Sequence, residues 1–143
     1  MARNSRPGTV LQIVSQAQME LGLSQAAVST VVASLDHDIK QMQALLHAVA
    51  SEVLMQEPYK ETLGDGYWIS APDGTLQEVF VTDSDLVLFD ARMAIEGLKY
   101  RFLKAKGLEY GEELRDFTTR LNIIASDING RVLDLDAEGG RVQ

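Results

Sequence analysis

The sequence lacks cysteine altogether in its 143 residues, which excludes disulfide bonds, thiolate metal sites and cysteine nucleophiles. Proline is scarce, with 3 residues, and no apolar run approaches the roughly 20 residues that cross a bilayer. His37 and His47 are the only histidines, and their spacing does not match the i, i+4 pattern of a metal-binding helix. We therefore predict no membrane span, no metal and no cofactor.

The residues that are present have the composition of one globular domain, 45% hydrophobic and 24% charged. A chain of this length buries roughly two-thirds of the surface that its unfolded form exposes. The first residues carry Arg3 and Arg6 and lead into an amphipathic segment, unlike the uniformly apolar core of a secretion signal. We expect an intracellular protein with a short basic arm.

The net charge of −8 is unevenly distributed along the chain. Between residues 8 and 90 only Lys40 and Lys60 oppose twelve carboxylates, whereas residues 91–107 contain one carboxylate, Glu96, and five cations. One interpretation is a solvated helix face whose last cations complement the helix dipole. The other is an electrostatic seam between neighbouring copies of the protein. The candidate seam residues are Arg92, Lys99, Arg101, Lys104 and Lys106.

Apolar residues at spacings of three and four predict two helices in the first half of the chain. The first covers residues 10–21, because Thr9 and Gln12 have the spacing of a capping box. The second runs to about residue 56 from a cap at Ser34 or Asp36. The small residues between them allow at most one helical turn.

The same spacing predicts a helical hairpin over residues 88–128. Gly107 ends its first helix, and a short connection returns the chain for the second. Residues 82–85, Thr-Asp-Ser-Asp, supply candidate caps for the first of these helices.

An insertion at about residues 62–82 interrupts the helices with prolines, glycines and strand-forming residues. Residues 67–70 and 75–81 can pair across the turn at residues 71–74, where Pro72 presets one dihedral angle and Gly74 admits a positive φ. Trp68 is either a core residue, the preferred interpretation, or an exposed interface anchor.

In the last segment, residues 131–143, leucines alternate with Asp134 and Asp136, which favours an extended strand that docks on another protein. The predicted fold is therefore mainly α. It is a four-helix bundle-like domain over residues 1–130, with an inserted β-hairpin and an extended C-terminal tail.

No cluster of residues predicts catalysis. Asp36, His37 and Asp38 point in different directions on a helix and are better explained as acids at a helix start. The pairs Glu112/Glu113 and Asp134/Asp136 lack a histidine or any sign of a perturbed pKa. The glycines do not have phosphate-loop spacing, and a pI near 4.7 argues against direct nucleic-acid binding. We expect a protein that is not an enzyme.

Two segments resemble the head-to-tail adaptor proteins of tailed bacteriophages, also called connector or head-completion proteins. They are residues 101–110, RFLKAKGLEY, and the segment SLDHDIKQMQALLHAV in the first half. The resemblance implies a structural virion protein in the neck, made in the host cytoplasm, that forms a ring, commonly a dodecamer, beneath the portal. Such a ring extends the DNA channel used in genome ejection, without specific DNA binding, and provides a platform for tail assembly.

The resemblance also implies partners, namely the portal protein and other tail or neck proteins. In these adaptors the C-terminal segment docks into the portal, and the inserted hairpin, here with Tyr67 and Trp68, is the candidate tail-facing element. The candidate portal-docking residues are Arg131, Val132, Leu133, Leu135 and Arg141.

Two other functions remain open on the sequence alone. The chain could be a helical regulatory module that binds a protein partner, or a small hydrolase that uses the acidic pairs. An acidic ring lumen would keep passing DNA mobile by repelling its phosphates, which suits the adaptor.

Overall fold

The structure is a computed structural model, and it describes residues 8–23, 28–56 and 66–141, with side chains as far as Asp127. Over these residues the chain is mainly helical, and the predicted helices are present together with a small antiparallel sheet. The helices are α1 (Val10–Glu20), α2 (His37–Leu54), α3 (Ala91–Ala105) and α4 (Gly111–Arg141).

The first two helices begin where local hydrogen bonding predicts. Thr9 caps α1 in a full capping box: the Gln12 N–H donates to Thr9 Oγ1 at 3.1 Å, and the Thr9 N–H donates to Gln12 Oε1 at 3.0 Å. Asp36 caps α2, with its Oδ1 accepting from the N–H groups of Asp38 and Ile39. Of the two predicted caps for α2, Asp36 is the one that the structure uses.

The third helix begins later than the sequence predicted. Its N-cap is Asp90, whose Oδ2 accepts from the Met93 N–H at 2.9 Å, so the prediction of a cap within residues 82–85 is wrong. Those residues form a turn in which Asp85 accepts from the Thr82 N–H and hydroxyl. The helix ends at Ala105, close to the predicted stop at Gly107, where φ is +73°.

The fourth helix corrects the prediction for the C-terminal segment. Residues 131–143 were predicted to be extended, but the backbone of α4 is helical as far as Arg141. No proline interrupts this segment, so the i to i−4 hydrogen bonds continue past Gly130, where a glycine costs only about 1 kcal/mol relative to alanine. The alternation of two leucines with two aspartates is too short a pattern to predict a strand against a helix that continues from the preceding residues.

The sheet has four two-residue strands, β1 (Gly8–Thr9), β2 (Ile69–Ser70), β3 (Leu76–Gln77) and β4 (Leu86–Val87). Their order is β1-β4-β2-β3, and all neighbouring strands are antiparallel. β2 and β3 form the predicted hairpin, with Ile69 opposite Gln77 and a turn in which Gly74 has φ +95°. β1 and β4 were not predicted from the sequence, because two residues are too few to show alternation.

Helix α3 lies at the centre of the described fold. It packs extensively against α1, α2 and α4, whereas α1 and α2 contact each other only slightly. Gly97 permits this arrangement, since a Cβ atom placed there would lie 2.7 Å from Val49 Cγ1 and 2.9 Å from Phe117 Cε1. The absence of a side chain at residue 97 therefore brings three helices together.

Candidate functional site

The basic side chains of α3 are paired with carboxylates of the same chain. Arg92 donates to both oxygens of Glu20 on α1, at 2.5 and 2.7 Å, and Lys99 Nζ lies 2.9 Å from Glu20 Oε1. The bidentate hydrogen bonds from Arg92, assisted by Lys99, hold the pKa of Glu20 down to about 2. This cluster joins the end of α1 to α3.

A second cluster joins α3 to α2. Arg101 Nη2 and the Tyr100 hydroxyl both donate to Glu52 Oε1, each at 2.6 Å. Burial raises the pKa of Tyr100 to about 12, and its hydrogen bond to Glu52 acts in the same direction. The Tyr100 hydroxyl is therefore a hydrogen-bond donor and not a titrating group at physiological pH.

The last two candidate seam residues lie at the end of α3. Lys106 Nζ is 3.5 Å from Asp38 Oδ1, and Lys104 Nζ lies 5.9 Å from the centre of the Tyr110 ring. Four of the five cations thus have a carboxylate partner in their own chain, a possibility that neither interpretation of the charge pattern had considered. A contact of these residues with a neighbouring copy stays a prediction.

A groove of about 280 Å³ runs between α3 and α4. On one side Arg120 Nε donates to Asp90 Oδ2 at 2.7 Å, so the buried Asp90 carboxylate both caps α3 and binds α4. On the other side, burial raises the pKa of Glu96, and its Oε1 has no hydrogen-bond partner among the described residues. The groove is lined by Glu96, Asp116, Thr119, Arg120, Ile123 and Ile124.

Trp68 is a core residue, as the preferred interpretation of the sequence predicted, and only 8% of its surface is exposed. Its ring contacts His47 and Phe80 edge to face and also Phe89. This aromatic packing explains why the alternative of an exposed anchor at Trp68 is wrong. Tyr67 is half-buried and lines a hollow of about 390 Å³ together with Gln77 and Glu78, so of the two candidate tail-facing residues Tyr67 is the more accessible.

Several large apolar side chains lie at the surface. Leu35 and Met55, at the two ends of α2, are 87% and 75% exposed, and Val79 and Val81 on the segment after β3 are 59% and 62% exposed. Ile123 on α4 is 59% exposed at the rim of the groove. Apolar residues that are exposed singly need no explanation, whereas Val79 and Val81 are two exposed valines in one short segment.

The catalytic candidates are not brought together. His37 is exposed at the start of α2, and Glu112 and Glu113 lie in the first turn of α4, where a carboxylate complements the helix dipole. Among the described residues, no group of histidines and carboxylates is placed so that it could hold a metal ion. The side chains of Asp134, Asp136 and the candidate portal-docking residues, Arg131, Val132, Leu133, Leu135 and Arg141, lie outside the part that the structure describes.

None of the described helices combines the length and the hydropathy needed to cross a membrane.

Sequence reasoning missed three residues on which these sites depend, namely Glu20, Glu52 and His47. Apart from Gln16, which donates to Glu20 from four positions before it, the partners that define these sites lie at least 20 positions away in the chain, so no local spacing marks them. The only available signal was the excess of acids before residue 90 together with the excess of cations in α3, which indicated either a solvated helix face or a seam between copies.

Comparison with known proteins yields no relatives: no family model matches the chain, and neither a curated protein nor a solved structure matches it.

Proposed function

We propose that this chain is a structural assembly protein, a head-to-tail adaptor of a tailed bacteriophage. In this role it forms a ring below the portal in the virion neck, and the number of twelve copies rests on the resemblance alone. The ring extends the DNA channel and offers a platform to the next tail component. The family resemblance of residues 101–110 supplies the specific identity, and the surface of the molecule supports the general class.

The observation that carries the proposal is the exposure of Val79 and Val81 on a segment without cations. Residues 66–85 contain Asp73, Glu78, Asp83 and Asp85 but no lysine or arginine. Asp73 and Glu78 are the exposed acids of this segment, and an apolar surface beside them suits a protein partner better than a nucleic acid, whose phosphates they repel. This favours an assembly protein over a DNA-binding protein.

A ring also needs two different patches on each copy, because a head-to-tail interface is heterologous. The segment around Val79 is one candidate patch. Ile123 and the groove between α3 and α4 are the other, since the groove can receive a side chain from a neighbour. Neither patch includes the α3 cations Arg92, Lys99 and Arg101, which are paired within the chain.

The groove is also the observation that favours the second candidate function, a helical module that binds a regulatory partner. It is partly apolar, contains the carboxylates of Glu96 and Asp116, and is large enough for one or two side chains of a partner helix. The two functions differ in stoichiometry: an adaptor forms a closed ring on a portal, and a regulatory module forms a small complex.

Native mass spectrometry of the purified chain, alone and mixed with a phage portal protein, tests the adaptor proposal. A complex with one ring of this chain per portal is expected. The double variant Val79→Asp and Val81→Asp should impair formation of that complex, and Leu35→Asp, at a leucine that is more exposed than either valine and lies outside residues 66–85, serves as the control. The adaptor role would be contradicted if the chain is a folded monomer that binds none of the portal proteins tested but forms a one-to-one complex with a cellular protein.

A further inference from the structure

Residues 78–82 cross over the aromatic core as a strap between β3 and β4. Phe80 is half-buried and points toward the core, while Val79 and Val81 on either side of it are exposed. The ring of Phe80 lies 5.8 Å from the ring of His47 and 5.5 Å from that of Trp68, and both contacts are edge to face. One aromatic side chain therefore attaches the middle of the strap to the body of the protein.

His47 stands at the centre of this attachment. It projects from the middle of α2, and its ring lies 4.9 Å from that of Trp68. Its described ring contacts are with Trp68 and Phe80, and neither carries a charge. A neutral imidazole packs in such a place as an aromatic ring does, whereas an imidazolium loses hydration there without gaining an anionic partner.

The charged side chains on the elements around His47 either bind other partners or lie several residues from His47 along the chain. On α2, Glu52 accepts from Tyr100 and Arg101, and Lys40 lies nearly two turns before His47. Beside Phe89, the carboxylate of Asp90 is bound by Arg120 and by the Met93 N–H.

On the hairpin, the titratable residues next to the ring contacts are Tyr67, beside Trp68, and Glu78, two residues before Phe80 and exposed. At the base of the strap, Asp85 is occupied by the N–H groups of Val81 and Thr82. None of these carboxylates is shown as a partner of the His47 ring in the described structure.

We infer that His47 is a proton-sensitive latch for the strap: its neutral ring holds Phe80 against Trp68, and its protonation releases the strap and uncovers an aromatic surface. Burial lowers the pKa of His47 from 6.5, which agrees with this direction. In the open state the imidazole regains water and its ordinary pKa, so opening takes up a proton. The closed strap is therefore fully stabilised above pH 6.5 and is lost as the pH falls below it through the pKa of the closed state.

The inference does not depend on the adaptor role, because it concerns the chain alone. Released, the strap would expose Phe80 beside Val79 and Val81, which are already exposed, and would open the hollow beside Tyr67 and Trp68. Acidification would thus enlarge the apolar contact surface of the hairpin by at least one aromatic side chain.

Trp68 is the single tryptophan of the chain and reports directly on the latch. The test records its fluorescence emission in the full chain from about pH 8 to about pH 5, with circular dichroism in parallel. The expected result is a shift of the emission to longer wavelength with a midpoint below 6.5, while the helical signal stays constant. Loss of both signals together would indicate global unfolding and would overturn the inference.

Two variants assign the transition to one histidine. His47→Phe keeps an aromatic ring without a titrating group and should abolish the emission shift. His37→Gln removes the other histidine, which is exposed at the start of α2, and should leave the shift unchanged. A shift that survives His47→Phe would overturn the inference.

If His47→Phe does not fold, proton NMR of the wild-type chain tests the same inference. The imidazole resonances of His47, assigned by their absence from a His47→Gln spectrum or by isotope labelling, should titrate with the same midpoint as the emission. A midpoint above 6.5 would mean that the aromatic faces stabilise the imidazolium, and would also overturn the latch.

Discussion

Glu20 and Arg92, which are 72 residues apart in sequence, form a bidentate ion pair between α1 and α3, with both carboxylate oxygens accepting from the guanidinium. Lys99 adds a third hydrogen bond from the same face of α3. An isolated ion pair at the surface contributes less than about 1 kcal/mol to the free energy of unfolding. A bidentate pair that is joined by a second cation contributes a larger, measurable amount. The end of α1 is therefore fastened to α3 electrostatically as well as by apolar packing.

The first prediction concerns this cluster. Glu20→Gln should lower the free energy of unfolding by about 1–2 kcal/mol, because two cations lose their carboxylate. Since the pKa of Glu20 is lowered from 4.5 to about 2, its stabilisation is fully present above pH 4.5 and is lost as the pH falls toward 2. Urea unfolding of both proteins at neutral pH and near pH 3 should show the difference shrinking at the lower pH.

A second prediction separates Glu96 from Glu20, although both lie close to Arg92. Burial raises the pKa of Glu96, so its carboxylate costs free energy when it is charged, and this cost grows as the pH rises through its unfolded value of 4.5. Glu96→Gln should therefore leave stability unchanged or raise it by up to about 1 kcal/mol at neutral pH. A loss of stability as large as that of Glu20→Gln would show that the ion pair with Arg92 at 3.8 Å outweighs burial.

A third prediction concerns the close approach at Gly97. Gly97→Ala places a Cβ atom against Val49 and Phe117 in the centre of the core, which should cost about 1–3 kcal/mol as overpacking. Gly111→Ala is the matched control, because a Cβ atom there meets nothing within 4 Å. In thermal unfolding, the melting temperature of Gly97→Ala should be well below that of Gly111→Ala. Equal melting temperatures would contradict the prediction, because they would show that the three helices can move apart without loss of stability.

A fourth prediction concerns Asp85, which is only 1% exposed and organises the base of the strap. Although burial alone would raise the pKa of this carboxyl, hydrogen bonds from the Val81 and Thr82 N–H groups and from Gln77 hold it below 3.8. Asp85→Ala removes the acceptor for all of these donors and should destabilise the protein by about 2–3 kcal/mol.

The exposed Asp73, in the turn of the hairpin, provides the control for Asp85. Its carboxylate accepts from Thr75 within the same exposed turn, with the Thr75 N–H at 3.0 Å, so Asp73→Ala should change the unfolding midpoint much less. Hydrogen exchange should locate the effect of Asp85→Ala at Val81 and Thr82. Unchanged protection at these two amides would contradict the assigned role.

The helices could be predicted from the sequence because their signals are local. The capping box at Thr9 and the aspartate cap at Asp36 each act within three residues, so they predict helix starts regardless of tertiary contacts. The start of α3 was missed because residues 82–85 have the composition of a cap, whereas Asp85 is used to close a turn and Asp90 is the actual cap. Local composition does not distinguish these two uses of an aspartate.

The sites between elements could be predicted only in part. The excess of cations in α3 over carboxylates was visible, but their pairing with Glu20 and Glu52 depends on how α1 and α2 are oriented on α3. The hairpin was predicted from its turn, and the burial of Trp68 from its size. The approach of His47 to Trp68 and Phe80 could not be predicted, because it joins the middle of a helix to residues more than 20 positions away.

The central position of α3 has a consequence for synthesis on the ribosome. The apolar stripes of α1 and α2 face α3 far more than each other, and α3 begins only at Ala91. A nascent chain that ends before this helix therefore has two amphipathic segments without their main packing surface. Because long-range contacts have to wait for the distant segment, we expect the nascent first half to be a target for chaperones until α3 leaves the exit tunnel.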